Sequence, residues 1–156
     1  MRTISLTQGV LAVGIVAAAQ GAQADCSTDA VLDGSTISGK LVCAYKPASG
    51  GTDPNQRWSE IHNATTGAAT TLGEHGRGTT DPNGSYNANV GTWAYSAGSI
   101  TYTYIDDSSS PYTWTLRGTG GTTPTSFCSG STEIATIHAV IDLGSVNAAD
   151  TNPCSW

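Results

Sequence analysis

The fold is decided by residues 99–117, which read SITYTYIDDSSSPYTWTLR. One face of the first half carries Ile100, Tyr102 and Tyr104, and one face of the second half carries Tyr112, Trp114 and Leu116. Because successive side chains of a strand point to opposite faces, each half has one apolar face. Residues 106–111 (DDSSSP) are typical of a turn. We therefore predict an antiparallel hairpin that sets tyrosine and tryptophan rings side by side.

The same period of two recurs along the chain and predicts eight strands. They cover residues 39–45, 56–62, 69–73, 90–95, 99–105, 112–117, 125–128 and 133–142. Clusters rich in Gly, Pro, Asp and Asn separate them. The isoleucines of the last segment also have a helical spacing, but its β-branched residues favour a strand. One short helical turn is predicted within residues 27–36, with Ser27 or Thr28 as its cap and Gly34 at its end.

The composition agrees with an all-β fold. Only 12% of the residues are charged, which excludes a coiled coil or a long charged helix. Eight strands with short connections fit a small closed antiparallel barrel, and a two-sheet β-sandwich is the alternative. We favour the barrel because closure leaves no exposed sheet edge.

Residues 1–24 have the features of a signal peptide. Arg2 precedes the apolar run at 10–19, and Ala22-Gln23-Ala24 places small residues where a signal peptidase cleaves. A membrane-spanning helix would need about 20 apolar residues, roughly twice the length of this run. We therefore predict one mature domain at 25–156 that is secreted or periplasmic.

Export would place the four cysteines in an oxidising compartment, where disulfides form. Cys26, Cys43, Cys128 and Cys154 are an even number with no C-x-x-C pair, which favours two structural disulfides over a metal or redox site. Proximity in sequence favours pairing Cys26 with Cys43 and Cys128 with Cys154. Closure of a barrel would equally allow Cys43 to pair with the end of the chain.

The charge balance restricts the possible partners. The chain has 6 basic and 12 acidic residues, and removal of Arg2 with the leader leaves five against 12, a net charge of −7. Binding of nucleic acid through a basic face is therefore not expected. We expect a monomer without cofactor or metal that does not insert into a membrane and whose partner is a small molecule, a glycan or a protein.

The candidate site starts from the segment WSEIH. Trp58, Glu60 and His62 are two residues apart and share one face of their strand. If the indole-bearing faces turn inward, these residues line a cavity together with Tyr102 and Trp114, and Tyr104 adds to its wall. The alternative is a polar pair of Glu60 and His62 that stabilises the interior without binding anything.

Other residues with possible chemistry form weaker patterns. Glu74 and His75, with Glu60 and His62, are metal-ligating types, but their spacing fits no common metal motif and glycines flank them in a predicted loop. His138 is interpreted as an ordinary strand residue. The acidic pair at 106–107 lacks the pattern of a calcium loop. No G-x-S-x-G turn is present, which disfavours a nucleophilic serine.

Several short motifs of the chain are similar to motifs of known protein groups. They are WSEIH at 58–62, DPNG at 81–84, VGTW at 90–93, ITYTY at 100–104, YTWTL at 112–116 and FC at 127–128. Over about residues 40–130 the chain resembles a group of small exported bacterial proteins of unknown function, so the resemblance implies no catalytic residues. The strand count and G-T-W are similar to calycins, the lipocalin and avidin barrels, although lipocalins carry G-x-W on their first strand. That likeness implies an architecture only.

These observations predict a binding module rather than an enzyme. The first alternative is a hydrolase or isomerase that uses Glu60 and His62 with or without metal. The second alternative is a structural or inhibitor protein without a pocket. A cavity lined by Trp58, Tyr102, Tyr104 and Trp114 would favour binding.

Overall fold

The computed structural model describes residues 25–77, 88–107, 109–147, 149–150 and 152–156. The strands are β1 (Ala30–Val31), β2 (Lys40–Tyr45), β3 (Arg57–His62), β4 (Thr70–Arg77), β5 (Ala88–Ser96), β6 (Ser99–Tyr104), β7 (Tyr112–Thr119), β8 (Thr123–Ser129) and β9 (Thr132–Asp142). Short 3-10 turns cover Gly34–Ile37, Pro47–Ser49, Pro54–Gln56 and Leu143–Ser145. The described part of the chain contains no α-helix. The predicted signal peptide at 1–24 lies outside it.

The strands close into a barrel. From β2 to β9 each strand pairs antiparallel with the next, and β9 pairs back with β2. All eight predicted strands are present, including the one at Thr132–Asp142 that also had helical spacing. The all-β barrel is confirmed, and the two-sheet sandwich is wrong because the sheet has no break between two layers.

The predicted helical turn at 27–36 is wrong. This segment instead forms β1, which pairs with β7 at Arg117 and Gly118, and then a 3-10 turn at Gly34–Ile37. The β6 strand pairs with β7 only as far as Thr115, so the next residues of β7 have backbone groups that β1 can use. The cap of the 3-10 turn is Asp33, whose side chain accepts a hydrogen bond from the Ser35 amide.

The β4 strand is longer than predicted. It continues to Arg77, whereas the sequence suggested a glycine-rich loop from His75 onward. Glu60 of β3 lies opposite Glu74, and the preceding Ser59 lies opposite Gly76. His75 is therefore the extra residue of a β-bulge, which explains why strict alternation failed to predict this strand.

The barrel interior is filled by large side chains at one end. The buried cluster includes Ile37, Leu72, Trp93, Ile100, Tyr102, Leu116 and Phe127. The 3-10 turn at Gly34–Ile37 closes this end, with Ile37 fully buried. Gly34 fits closely there, since a Cβ on this residue would lie 2.3 Å from Cβ of Tyr95. We call this end the floor of the barrel.

A second cluster lies outside the barrel and involves the end of the chain. Leu41, Cys43 and Ile61 form it with Cys154, and Trp156 packs at its edge. A disulfide joins Cys43 to Cys154, and another joins Cys26 to Cys128. The pairing favoured by sequence proximity is therefore wrong. The closed barrel determines which cysteines pair, because it brings Cys154 against Cys43 of β2 and Cys26 against Cys128 of β8.

Candidate functional site

The β3 strand supplies the inner wall of the candidate site. Trp58 packs against the interior cluster, while Ile61 belongs to the cluster outside the barrel. Alternation along β3 then brings Glu60 and His62 to the same inner side as Trp58. The structure thus turns the indole-bearing face of β3 inward, as the sequence analysis supposed.

His62 is held deep in the interior. Its Nε2 lies 2.8 Å from the Tyr102 hydroxyl, and its Nδ1 lies 3.3 Å from the carbonyl oxygen of Glu60. A carbonyl can only accept, so Nδ1 carries the proton and Nε2 accepts from Tyr102. Burial lowers the pKa of His62 to about 3, which keeps the imidazole neutral. Burial likewise raises the pKa of Tyr102 well above its usual value.

Glu60 lies nearer the opposite end of the barrel from the floor. Its carboxylate accepts a hydrogen bond of 3.0 Å from the Tyr104 hydroxyl, and only 6% of its surface is exposed. Glu74 lies directly opposite Glu60 in the register of β3 and β4. Directly opposite residues share a face of the sheet, so two acidic residues occupy neighbouring positions there.

A cleft opens at this end of the barrel. Its inner part has a volume of about 260 Å³ and is lined by Lys46, Asn55, Gln56, Arg57, Trp58, Glu60, Tyr104 and Trp114. An adjoining part of about 370 Å³ shares Lys46, Tyr104 and Trp114 and adds Asp106, Asp107 and Tyr112. We call the two parts together the mouth cleft. It runs from the aromatic interior to the acidic β6–β7 turn.

Two basic residues of the mouth cleft have aromatic partners. The Lys46 ammonium lies over the Trp58 ring, 5.6 Å from its centroid. The Arg57 guanidinium donates to the Gly51 carbonyl and lies 5.0 Å from the Trp156 ring centroid, on the outside of the barrel. Among the basic side chains that the structure describes, Lys46 is set against the inner aromatic wall of the cleft, whereas Arg57 contacts Trp156.

The structure divides the five predicted ligand-contacting residues into two groups. Trp58, Glu60 and Trp114 line the mouth cleft. His62 and Tyr102 are fully buried below it and bond to each other. Lys46 was not among the predicted site residues, because it follows β2 in a turn and its position depends on the conformation of residues 47–56. The sequence feature that could have identified Lys46 is its position next to Pro47, directly after a predicted strand.

The arrangement does not favour the predicted acid and base pair. Both ring nitrogens of His62 are engaged, one by Tyr102 and the other by the backbone of Glu60. Among the described residues no group of three or more His, Cys, Asp or Glu side chains could hold a metal ion. Asp107 accepts hydrogen bonds from Tyr112 and Ser109, which is typical of a polar turn.

Comparisons with known proteins give no assignment. No family model, curated protein or solved structure matches the chain. Within the described residues, no helix has the length and hydrophobicity that crossing a bilayer requires. Two disulfides are typical of an oxidising, non-cytoplasmic compartment.

Proposed function

We propose that this protein is an exported binding module that takes a small ligand in the mouth cleft. The floor is filled, and the mouth cleft is a concave surface, formed by described residues, that carries both aromatic and ionisable side chains. Sites for small ligands usually combine an apolar wall with a few well-placed polar groups. Trp58, Tyr104 and Trp114 supply the wall, and Glu60 supplies the polar group.

The observation that carries the proposal is the burial of Glu60 beside an open cleft. Burial of a carboxylate is costly unless it is paired or hydrogen-bonded. A protein without a pocket would gain more from an apolar residue at this position, since replacing a buried charged group by a well-packed apolar one is often stabilising. Glu60 accepts a hydrogen bond from Tyr104 and lines the cleft beside Trp58 and Trp114, so the protein holds its carboxylate at a position that a ligand in the cleft can also contact.

Export is the second part of the proposal. The disulfides fit an oxidising compartment, and the sequence at 1–24 has the pattern of a cleaved leader. We propose that the mature chain begins at Asp25 and is secreted or periplasmic. Intact mass of the protein recovered from its host tests this directly, because cleavage after Ala24 fixes the expected mass.

The binding proposal is tested by a native mass spectrum of the protein purified from its own host. A bound species should be present at neutral pH and disappear after partial denaturation. Glu60→Gln keeps the shape of the side chain and removes its charge, so this variant should lose the bound species while its melting temperature changes little. Glu133→Gln is the matched control, because Glu133 lies on β9 and does not line the mouth cleft.

The same experiment contradicts the proposal if Glu60→Gln melts at a much lower temperature and carries the same bound species as the wild type. Glu60 would then be a structural residue. Loss of the species in both Glu60→Gln and Glu133→Gln would show that it binds elsewhere.

A further inference from the structure

We propose that the ligand of the mouth cleft is a neutral glycan of at least two sugar rings, one in each part of the cleft. This inference rests on the proposed binding function and specifies its ligand class. It follows from the chemistry of the lining side chains, the arrangement of the aromatic rings, and the division of the cleft into two adjoining parts.

The lining of the mouth cleft combines aromatic rings with polar groups. Its aromatic members are Trp58, Tyr104, Tyr112 and Trp114, and the other described lining residues are polar or charged. None of the described lining residues is aliphatic, whereas a site for a lipid would be lined mainly by such side chains. A sugar ring presents both kinds of surface, because its C–H groups form apolar faces and its hydroxyls surround them. The lining therefore suits a sugar.

The aromatic rings form a wall on which the face of a sugar can pack. The ring centroids of Tyr104 and Tyr112 are 6.0 Å apart, and those of Tyr112 and Trp114 are 5.9 Å apart. The ring planes are inclined at 63° and 43°, so these rings do not cover one another's faces completely. Tyr112 is exposed, and Tyr104 and Trp114 are half-buried. Such rings offer an apolar face together with a polar hydroxyl or N–H group.

Asn55 and Gln56 add hydrogen-bonding groups to the inner part of the cleft. Both lie on the 3-10 turn Pro54–Gln56 and are exposed. A primary amide has two donor hydrogens and an acceptor oxygen, so it can donate to one sugar hydroxyl and accept from the next. The carboxylates of Asp106 and Asp107 add acceptors in the adjoining part. Polar groups are thus present in both parts of the cleft.

The charges at the cleft do not select a charged ligand. The lining includes both basic and acidic residues, namely Lys46, Arg57, Glu60, Asp106 and Asp107. A further basic residue, Arg77, stands opposite Trp58 in the register of β3 and β4. Because both signs are present, we assign a neutral ligand. Its affinity should change little with ionic strength, whereas that of a charged ligand depends on it.

The two parts of the cleft indicate the length of the glycan. They have volumes of about 260 Å³ and 370 Å³ and share Lys46, Tyr104 and Trp114. Both volumes are close to about 300 Å³, the lower end of the range for small-ligand sites, so each part suits a single ring. Because the two parts adjoin, a ring in one can be linked to a ring in the other. We therefore expect a disaccharide to bind more tightly than a monosaccharide.

Four disaccharides of different linkage and substitution test the ligand class. They are maltose, cellobiose, lactose and N,N′-diacetylchitobiose. Each is titrated into the full mature protein and followed by saturation-transfer difference NMR, which also identifies the sugar protons that contact the protein. We expect saturable binding of at least one of them, about tenfold tighter than that of its monosaccharide. This affinity should be the same at low and high ionic strength within about twofold.

Two further probes separate the contribution of the ring from that of the hydroxyls. Sorbitol has the hydroxyls of a sugar without a ring, and cyclohexanol has a ring with a single hydroxyl. Because the proposed site uses both the faces of the ring and the hydroxyls, neither probe should show saturable binding.

Two variants and a matched control locate the binding. Trp114→Leu removes an aromatic face and should weaken disaccharide binding about tenfold. The double variant Asn55→Ala, Gln56→Ala should weaken it by about threefold to tenfold. This variant should fold even if Trp114→Leu does not, because the described hydrogen bonds of both residues are made by their backbone groups. Trp156→Leu should bind as the wild type does, because Trp156 lies in the outer cluster and does not line the cleft.

Each result decides. The glycan is overturned if no disaccharide binds saturably, if a disaccharide binds only as tightly as its monosaccharide, or if sorbitol or cyclohexanol binds as well. Binding that falls steeply with salt, or that both cleft variants leave unchanged, also overturns it. A species other than a carbohydrate that the native mass spectrum finds and that Glu60→Gln loses overturns the glycan but leaves the binding function in place. A native spectrum without any cleft-dependent species, together with no disaccharide binding, overturns both.

Discussion

The Tyr102 hydroxyl lies 2.8 Å from Nε2 of His62, and neither side chain exposes any surface to solvent. Trp93 packs edge-on against the same imidazole, with ring centroids 4.9 Å apart. This buried hydrogen bond joins β3 to β6 across the interior, directly below the mouth cleft. It orients the imidazole and leaves His62 no nitrogen for a ligand.

Loss of this hydrogen bond should destabilise the barrel. Tyr102→Phe leaves Nε2 of His62 buried without a donor, so we expect the free energy of unfolding to fall by about 1 to 3 kcal/mol. Urea denaturation measures it. Tyr112→Phe is the control, because Tyr112 is at the surface and its hydroxyl bonds to Asp107 in the β6–β7 turn. A Tyr102→Phe variant as stable as Tyr112→Phe would show that the interior hydrogen bond contributes nothing.

The buried imidazole also predicts a pH dependence of stability. The pKa of His62 is about 3 in the folded protein, below its ordinary value of 6.5. The unfolded chain therefore binds the proton more tightly, so the contribution of His62 is complete above pH 6.5 and is lost as the pH falls toward 3. Between pH 6.5 and 5 the slope should approach about 1 kcal/mol per pH unit. Urea midpoints for the wild type and His62→Gln measure it, and equal slopes would contradict the prediction.

The floor of the barrel should not tolerate a methyl group at Gly34. A Cβ at this position would lie 2.3 Å from Cβ of Tyr95 and 2.6 Å from Cδ1 of Ile100. Overpacking of this kind costs about 1 to 3 kcal/mol, so Gly34→Ala should lower the melting temperature. Gly144→Ala is the matched control, because no atom lies within 4 Å of its added Cβ. Equal melting temperatures for the two variants would mean that the floor is looser than described.

The disulfide connectivity can be read from a peptide map. Digestion of the unreduced protein with trypsin and a glutamyl endoprotease separates all four cysteines, because Lys40 follows Cys26 and Glu133 follows Cys128. We expect linked peptides that contain Cys26 with Cys128 and Cys43 with Cys154. Reduction should lower stability by about 2 to 4 kcal/mol per bridge. A linked peptide of Cys26 with Cys43 would refute the connectivity.

The last residue of the chain should contribute to stability although it lies outside the barrel. The Trp156 ring stacks on His138 with centroids 4.6 Å apart, and the Arg57 guanidinium lies on it at 5.0 Å. Trp156→Ala removes both contacts and part of the cover of the outer cluster, so we expect a loss of about 1 to 2 kcal/mol. Chemical denaturation measures it. A loss below about 0.5 kcal/mol, the usual range for surface positions, would show that the ring is not part of the packed structure.

Local pattern was sufficient to predict the barrel strands and the inner face of β3. Alternation is a property of each strand alone, so Trp58, Glu60 and His62 could be placed together without knowledge of their neighbours. The β-bulge at His75 interrupts the alternation, so the second half of β4 was not predicted. An extra residue in one strand is recognised only by comparison with its partner strand. The β1 strand was not predicted, because two residues are too few to show an alternating pattern of apolar and polar side chains.

The disulfide partners and the cleft depended on the closed barrel itself. Nothing in the local sequence around Cys43 indicates that Leu143, Val146 and Cys154 pack in the same cluster. The same holds for Lys46, whose ammonium reaches Trp58 through the turn that follows β2. Depth within the barrel separates His62 and Tyr102 from the cleft residues, and alternation gives the side of a strand but not the depth.

The two disulfides alternate along the chain, the first cysteine with the third and the second with the fourth. A chain that emerges amino end first presents Cys26 together with Cys43 before either native partner has appeared. Oxidation at that moment joins the wrong pair, and the correct pair then forms only by thiol–disulfide exchange. We therefore expect the yield of native protein to be higher in an oxidising environment that also permits exchange, such as one with a disulfide isomerase or a glutathione buffer, than with an oxidant alone.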